Sequence, residues 1–257
     1  MLNCKNTFRR FIMSDPNTTA ALNKITGYVR RCIEDYKMIG DGETLAVAVS
    51  GGKDSLTLLM SLVELRRYYP KSFNLHAVTV DMGFENMDFD NVQKLCDDHD
   101  IPYTLCKTEF AKIVFDENRH SSHCSLCAKM RRGILHDTIG ALGIRKIALG
   151  HHYDDAVETF LMSLLYEGRV NCFSPVTFLD RAAVTQIRPM LYVKEAEINK
   201  YASMANLPIV ANVCPLNGSS KREEIKSLIK TLRKSYPDIK SKIFGSMQQL
   251  PIEGWKK

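Results

Sequence analysis

The chain has 257 residues, an apolar fraction of 45% and a formal net charge of +6. That length suits one large α/β domain, alone or with small additions, and leaves ample material for a core. No apolar run approaches the roughly 20 residues that span a bilayer. The stretch Met1 to Met13 has Arg9 and Arg10 but neither the long apolar run nor the cleavage site of a signal peptide. A soluble cytoplasmic protein with no membrane partner is therefore expected. In that reducing compartment the eight cysteines argue against a disulfide framework. The modest positive charge is weak support for a nucleic-acid partner.

In chain order, Leu22, Ile25, Val29 and Ile33 recur at helical spacing, so a leading helix is predicted over about 18–38, closed by Gly40-Asp41-Gly42. Leu45 to Val49 is a short continuous apolar run, the pattern of a buried parallel strand. After Ser50-Gly51-Gly52-Lys53-Asp54-Ser55 a helical pattern runs to Tyr69, followed by a strand from Leu75 to Val80 ending at Asp81, a helix near Phe89 to His99 and a strand near Tyr103 to Cys106. Asp116 to His123 reads as an irregular polar loop, Cys124 to Leu142 as a helix, Arg145 to Leu149 as a strand and Asp154 to Tyr166 as a helix. A hairpin of Val176–Leu179 and Val184–Ile187 follows, then helices near Lys194–Ala205 and Lys221–Tyr236. Alternating strands and helices imply βαβ units, a parallel sheet and helices on both faces. The expected organisation is a single domain: the leading helix, a core over about 44–212 and a basic helical segment over about 213–250.

Ligands of such sheets bind beyond the carboxyl ends of the strands. Ser50–Ser55, Asp81–Met82–Gly83 and Gly150–Asp155 each follow a predicted strand and should converge there. In the first segment, Gly51 and Gly52 allow close backbone approach, and successive N–H groups at a helix start form an anion nest. Lys53 adds a point charge, Ser50 and Ser55 add hydroxyls, and Asp54 can hold Mg²⁺ together with phosphates. The segment does not match G-x-x-x-x-G-K-[ST], so cleavage between the β- and γ-phosphates is not the natural reading. In the second, Asp154 and Asp155 after Gly150 and His151 suit a cation, a proton transfer or a helix cap, since Asp155 and Glu158 have capping-box spacing.

Cys124 and Cys127 share one face at a predicted helix start. The helix terminus and Lys129, Arg131 and Arg132 favour thiolates. Two thiolates are compatible with a redox pair, but a structural zinc normally needs four ligands. Cys214, in a turn-rich stretch before Pro215, adds a third sulfur, and three can hold a cubane cluster with one iron open. Basic residues exceed acidic ones from Lys221 to Lys242, which alone reads as a solvated helix face.

The hexapeptide Ser50–Ser55 resembles the signature of the PP-loop ATP pyrophosphatases, and Gly150 to Thr159, GHHYDDAVET, resembles a second motif of their tRNA-modifying members. The order of PP-loop, CxxC, GHxxDD and a late cysteine before a basic helix resembles the tRNA 2-thiocytidine synthetase family over about residues 20–250. That resemblance implies cleavage of ATP between the α- and β-phosphates, Mg²⁺, and a 4Fe-4S cluster on Cys124, Cys127 and Cys214. It further implies thiolation of cytidine 32 of tRNA through an adenylated base. Asn217 stands where familiar members carry a second cysteine, which leaves Cys214 as the local third ligand. Lys53, Asp54, Asp154 and Asp155 are the expected catalytic residues; Ser50 to Ser55, Asp81, Met82, Gly150 and His151 are the expected nucleotide-binding ones. A cysteine desulfurase or free sulfide would supply sulfur, Lys221, Arg222, Lys226, Lys230, Arg233 and Lys234 would meet the anticodon-loop backbone, and a homodimer fits the family. Two rival readings are a lysidine synthetase-like PP-loop enzyme, which needs no cluster, and a nucleotide-binding iron–sulfur sensor without turnover.

Overall fold

The computed structural model describes residues 15–114, 123–211, 213–214, 221–250 and 252–255, with Cys124 placed by its backbone alone. The expectations for the stretch Met1 to Met13, for most of the 116–123 loop and for Asn217 lie outside the described residues.

The elements are α1 (Pro16–Asp35), β1 (Glu43–Ala48), α2 (Lys53–Arg66), β2 (Phe73–Asp81), α3 (Asp90–Asp98), β3 (Tyr103–Lys107), α4 (Phe110–Val114), α5 (His123–Ala141), β4 (Lys146–Ala148), α6 (Tyr153–Glu167), β5 (Val176–Leu179), β6 (Val184–Ile187), α7 (Glu195–Met204), α8 (Lys221–Ser235) and α9 (Ile239–Gln249). The strands form one sheet in the order β3-β2-β1-β4-β6-β5. All neighbours are parallel except β5, which pairs antiparallel with β6 at the edge. The short α4 has no counterpart in the predicted pattern. No described helix is long and apolar enough to cross a membrane.

Strand β1 shows why both faces must be covered. Leu45, Val47 and Val49 join a core with Ile25, Val29 and Ile33 of α1 and Leu56, Leu59 and Leu62 of α2. The alternate residue Ala46 joins Val78, Ile147 and Val184 against Leu135 and Ile139 of α5. The two-residue period of a strand thus sends neighbouring side chains to opposite layers. Helix α2 is buried from Ser55 to Val63. Its internal polar side chain Ser61 is satisfied locally, donating to Thr57 O at 2.8 Å.

The C-terminal segment belongs to the same packing. Phe244 of α9 stacks on Tyr153 of α6 at 4.4 Å and meets Trp255 edge-on at 5.3 Å. Trp255 is fully buried, and its Nε1 donates to Phe173 O at 2.9 Å.

Candidate active site

The sheet order reverses direction between β1 and β4, and the loops after these two strands lie side by side. A Cβ on Gly150 would come within 3.2 Å of Ser55 N, a contact tight enough that the two loops would have to move apart by a few tenths of an ångström to admit it. Gly51 has φ +79°, and a Cβ there would meet the Val210 side chain at 2.6 Å. Val210 N also donates to Gly51 O at 3.0 Å. The predicted turn is held by its own serines. Ser55 Oγ accepts from Ser50 N at 3.1 Å, donates to Gly52 O at 2.9 Å and lies 3.2 Å from Ser50 Oγ.

Lys53 Nζ donates to Asp54 Oδ1 at 2.8 Å and to Glu195 Oε1 at 3.2 Å. Burial opposes the lysine charge, but the hydrogen bonds and fields of these two carboxylates outweigh it and hold its pKa above the usual value. Lys53 is therefore a cation at the glycine turn, held by two carboxylates.

The acidic motif after β4 divides its labour. His152 is the N-cap of α6, its Nδ1 accepting from Asp155 N at 3.3 Å while His152 N donates to Asp155 Oδ2 at 3.0 Å. An imidazole takes the place that Ser or Thr usually fills in a capping box. Asp154 is buried: it accepts from Glu195 N at 2.7 Å and from Lys240 Nζ of α9. Burial raises its pKa, but these partners outweigh that and leave it lowered. Arg222, in the first turn of α8, donates to Asp155 Oδ1 at 2.9 Å, Glu158 Oε2 at 3.1 Å and Thr159 Oγ1 at 3.2 Å. Glu158 is 2% exposed, and burial pushes its pKa up against the pull of Lys226 and Arg222.

His151 packs on Phe173 at 4.9 Å between ring centroids, and its buried Nδ1 has no hydrogen-bond partner among the described residues. Burial, reinforced by the Arg188 charge, pushes its pKa down to about 4, so the ring is neutral at pH 7. Arg188 itself is buried and stitches the hairpin, donating to Ser174 O, Thr177 Oγ1 and Gln186 Oε1.

Cys127 and Cys214 line one cavity of about 110 Å³ together with Ser50, Met82, Phe84 and Arg131. Arg131 Nη2 donates to Cys127 Sγ at 4.0 Å, placing a fixed cation beside the sulfur. The late cysteine, 87 positions beyond Cys127 by numbering, is thus brought to the glycine turn and to the end of β2. Among the described residues no three His, Cys, Asp or Glu side chains form a metal group. The described thiols account for two of the three expected sulfur ligands, and their soft donors beside a cationic donor suit an iron–sulfur cluster. Asp81 lies at the same edge, but its Oδ1 accepts from Gly83 N at 2.9 Å and so shapes the turn, while Met82 is buried in the cavity wall. A larger cavity of about 260 Å³ among α1, α2, α3 and α7 contains none of the predicted site residues.

Glu195, Lys240 and Val210 complete the site without any local sequence signal, because their partners are remote in the chain. Arg222 departs from the expected backbone-binding role, since its guanidinium is committed to Asp155 and Glu158.

Comparison with known proteins places the chain in a family. Residues 24–230 match the model of the PP-loop domain family. A tRNA-cytidine(32) 2-sulfurtransferase of Citrifermentans bemidjiense is 34% identical over 234 residues, covering 90% of this chain and 92% of that protein. One from Pelobacter propionicus is 38% identical over 225 residues, covering 86% and 84% respectively. The solved structure of the U34-tRNA thiolase NcsA from Methanococcus maripaludis with its 4Fe-4S cluster superposes with a TM-score of 0.71 at 26% identity, covering 88% of this chain and 77% of that one.

Proposed function

The chain belongs to the PP-loop domain family and, within it, to the tRNA-cytidine(32) 2-sulfurtransferases, and from that membership we propose that it converts cytidine 32 of tRNA to 2-thiocytidine using ATP and a 4Fe-4S cluster. That it is a sulfurtransferase acting in tRNA thiolation follows from its relatives. The proposal concerns the target base, the adenylated intermediate, Mg²⁺ and the dependence on iron and sulfur. The observation that carries it is the single cavity shared by Ser50 of the glycine turn and the thiols of Cys127 and Cys214.

In this reading Lys53 and the N–H groups of the Ser50–Ser55 turn bind the ATP phosphates, and Asp54 holds Mg²⁺ with them. His151, neutral and carrying a buried nitrogen without a partner among the described residues, is the candidate for a hydrogen bond to the adenylate. Cytidine O2 attacks the α-phosphorus and pyrophosphate leaves; sulfide then adds at C2 and AMP departs with the former oxygen. The C2 oxygen of cytidine is a poor leaving group, and adenylation converts it into a good one. When bound on Cys124, Cys127 and Cys214, the cluster would supply an open iron for exogenous sulfide. Arg131 offsets negative charge at the sulfur ligands, and Asp155, which accepts from His152 N and Arg222 but is less buried than Asp154, is the carboxylate assigned to the chemistry. Asp154 keeps Glu195, and through it Lys53, in position. A target base in an anticodon loop is single-stranded and can be splayed into such a pocket at modest cost.

Mass analysis of tRNA nucleosides from cells lacking the gene tests the reaction and base together. Loss of 2-thiocytidine is expected, whereas its persistence at normal levels would refute the assignment. A cysteine desulfurase persulfide and free sulfide are the two donors to compare with purified protein, cytidine-32 tRNA and ATP.

A further inference from the structure

The N-cap of α6 is an uncommon choice of residue. Ser, Thr, Asp or Asn ordinarily fills that position, because a short side chain with one oxygen meets a backbone N–H of the first turn. His152 makes the same bond with one ring nitrogen, Nδ1 accepting from Asp155 N at 3.3 Å. An accepting Nδ1 carries no hydrogen, so the ring proton of this tautomer sits on Nε2, at the far corner of the ring. The side chain is 6% exposed, so that N–H is turned into the protein rather than toward bulk water. Nε2 lies 3.5 Å from Asp155 Oδ2 and 3.9 Å from Asp54 Oδ1. The two acids belong to the first turns of different helices, α6 and α2, and each has a cation of its own. Lys53 donates to Asp54 at 2.8 Å and Arg222 to Asp155 at 2.9 Å. A serine cap would satisfy the same backbone N–H and present nothing to Asp54. Both Nε2 distances are longer than a normal hydrogen bond, a separation that catalytic contacts close as reactants draw the groups together.

Resting on the roles assigned above to Asp54 and Asp155, we propose that His152 is a positioning residue for the adenylation step: one ring nitrogen caps α6, and the Nε2–H holds the carboxylates of Asp54 and Asp155 in fixed relation to each other. Two carboxylates this near one donor repel each other, and a buried N–H dipole facing both offsets part of that repulsion. The imidazole thereby sets the spacing between the acid assigned to Mg²⁺ on the nucleotide side and the acid offered to the base. Without the Nε2–H the cap and the helix survive, but the two acids lose their common reference. The cost then falls on catalysis rather than on stability.

The test uses full-length protein with unmodified tRNA, ATP and Mg²⁺. It follows tRNA-dependent pyrophosphate release, ATP binding with and without Mg²⁺, and thermal unfolding. His152→Ser keeps a capping oxygen and removes the Nε2–H. Its unfolding midpoint should stay within about 4 °C of wild type, while kcat falls about tenfold or more, the scale of a lost hydrogen bond to a charged group. ATP alone should bind within about threefold of wild type, but the gain in affinity that Mg²⁺ brings should shrink about tenfold, as when a residue orienting a metal ligand is lost. His152→Gln, whose amide N–H can stand near the place of Nε2, should recover part of the rate despite a poorer cap. In an Asp155→Asn background His152→Ser should cost less than about threefold in kcat, because the acid it orients is already gone. Should His152→Ser fail to fold, His152→Asn, a strong N-cap with no N–H at the Nε2 position, replaces it. Wild type that releases no pyrophosphate with tRNA refutes the reading of Asp54 and Asp155 on which the proposal rests. Wild type that turns over, with His152→Ser matching it in kcat and in the Mg²⁺-dependent gain, overturns the positioning role itself, as does an undiminished loss in the Asp155→Asn background.

Discussion

Asp154 and Asp155 are adjacent in sequence but differ in partners and burial: Asp155 accepts from His152 N and Arg222 and is the more exposed of the two. Asp154 is buried with both oxygens committed, to Glu195 N and to Lys240. Asp154→Asn should therefore cost stability, about 1–3 kcal/mol for a buried charged hydrogen bond left half-made, and weaken ATP binding through Glu195 and Lys53. Asp155→Asn should spare ATP binding and lower turnover, so KM and kcat measured on both variants separate the two roles. Lys53→Ala should reduce tRNA-dependent pyrophosphate release by about 100-fold or more, as expected when a cation is removed from a phosphoryl-transfer site. Glu195, freed of its partner there, would gain nothing that restores it. His151 gives the site a pH signature. Its folded pKa is about 4 against a reference value of 6.5, so between these values the unfolded chain binds the proton and the folded chain does not. Stability should fall as the pH drops through that window, and unfolding midpoints for His151→Asn should show a flatter dependence. Asp154, with its lowered pKa, adds a further loss at still lower pH as its carboxylate protonates and releases Lys240.

Each helix of the site earns its position through one end. Helix α2 presents its N-terminus to the glycine turn while its body is buried on all sides, a pattern typical of a central helix rather than a surface one. Helix α6 begins with the capping box that aligns Asp155, and its second turn receives Arg222. Helix α5 brings Cys127 and Arg131 to the cavity through its first turns while Leu135 and Ile139 bury its later ones. The C-terminal α9 braces α6 from behind through Phe244 on Tyr153 and Lys240 on Asp154. Truncating Phe244 or Trp255 to Ala should each cost about 3–5 kcal/mol. Chemical denaturation monitors that loss, and the same variants should show weaker ATP binding because the acidic motif loses its support.

At the scale of the molecule, the groups proposed for catalysis converge on one edge and the free basic surface lies beside them on α8. Lys230, Arg233 and Lys234 are exposed and form no ion pairs among the described residues. They are the side chains left for an RNA backbone after Arg222 and Lys226 have met acids of the fold. Replacing all three with Gln should weaken tRNA binding and reduce the steepness of its salt dependence by up to about three phosphate contacts, read as the slope of log affinity against log salt. An unchanged slope would place the RNA on another face.

The alternation of buried strands and amphipathic helices was written in the chain, because two-residue and 3.6-residue periods are local properties that side-chain burial enforces. So were the glycine turn, the paired aspartates and the CxxC, whose chemistry depends on neighbours within six residues. The pairing of β5 and β6 was likewise visible as a hairpin. Other features had no local signature. Nothing near Arg222 announces that it meets Asp155, nothing near Glu195 points to Lys53, and the partners of Asp154 are an amide and a lysine from two other helices. Those contacts join residues 41 to 142 positions apart. Composition and spacing could supply the reacting groups; only packing the helices against the sheet could decide which charges were spent on holding the site together and which were left for the substrate.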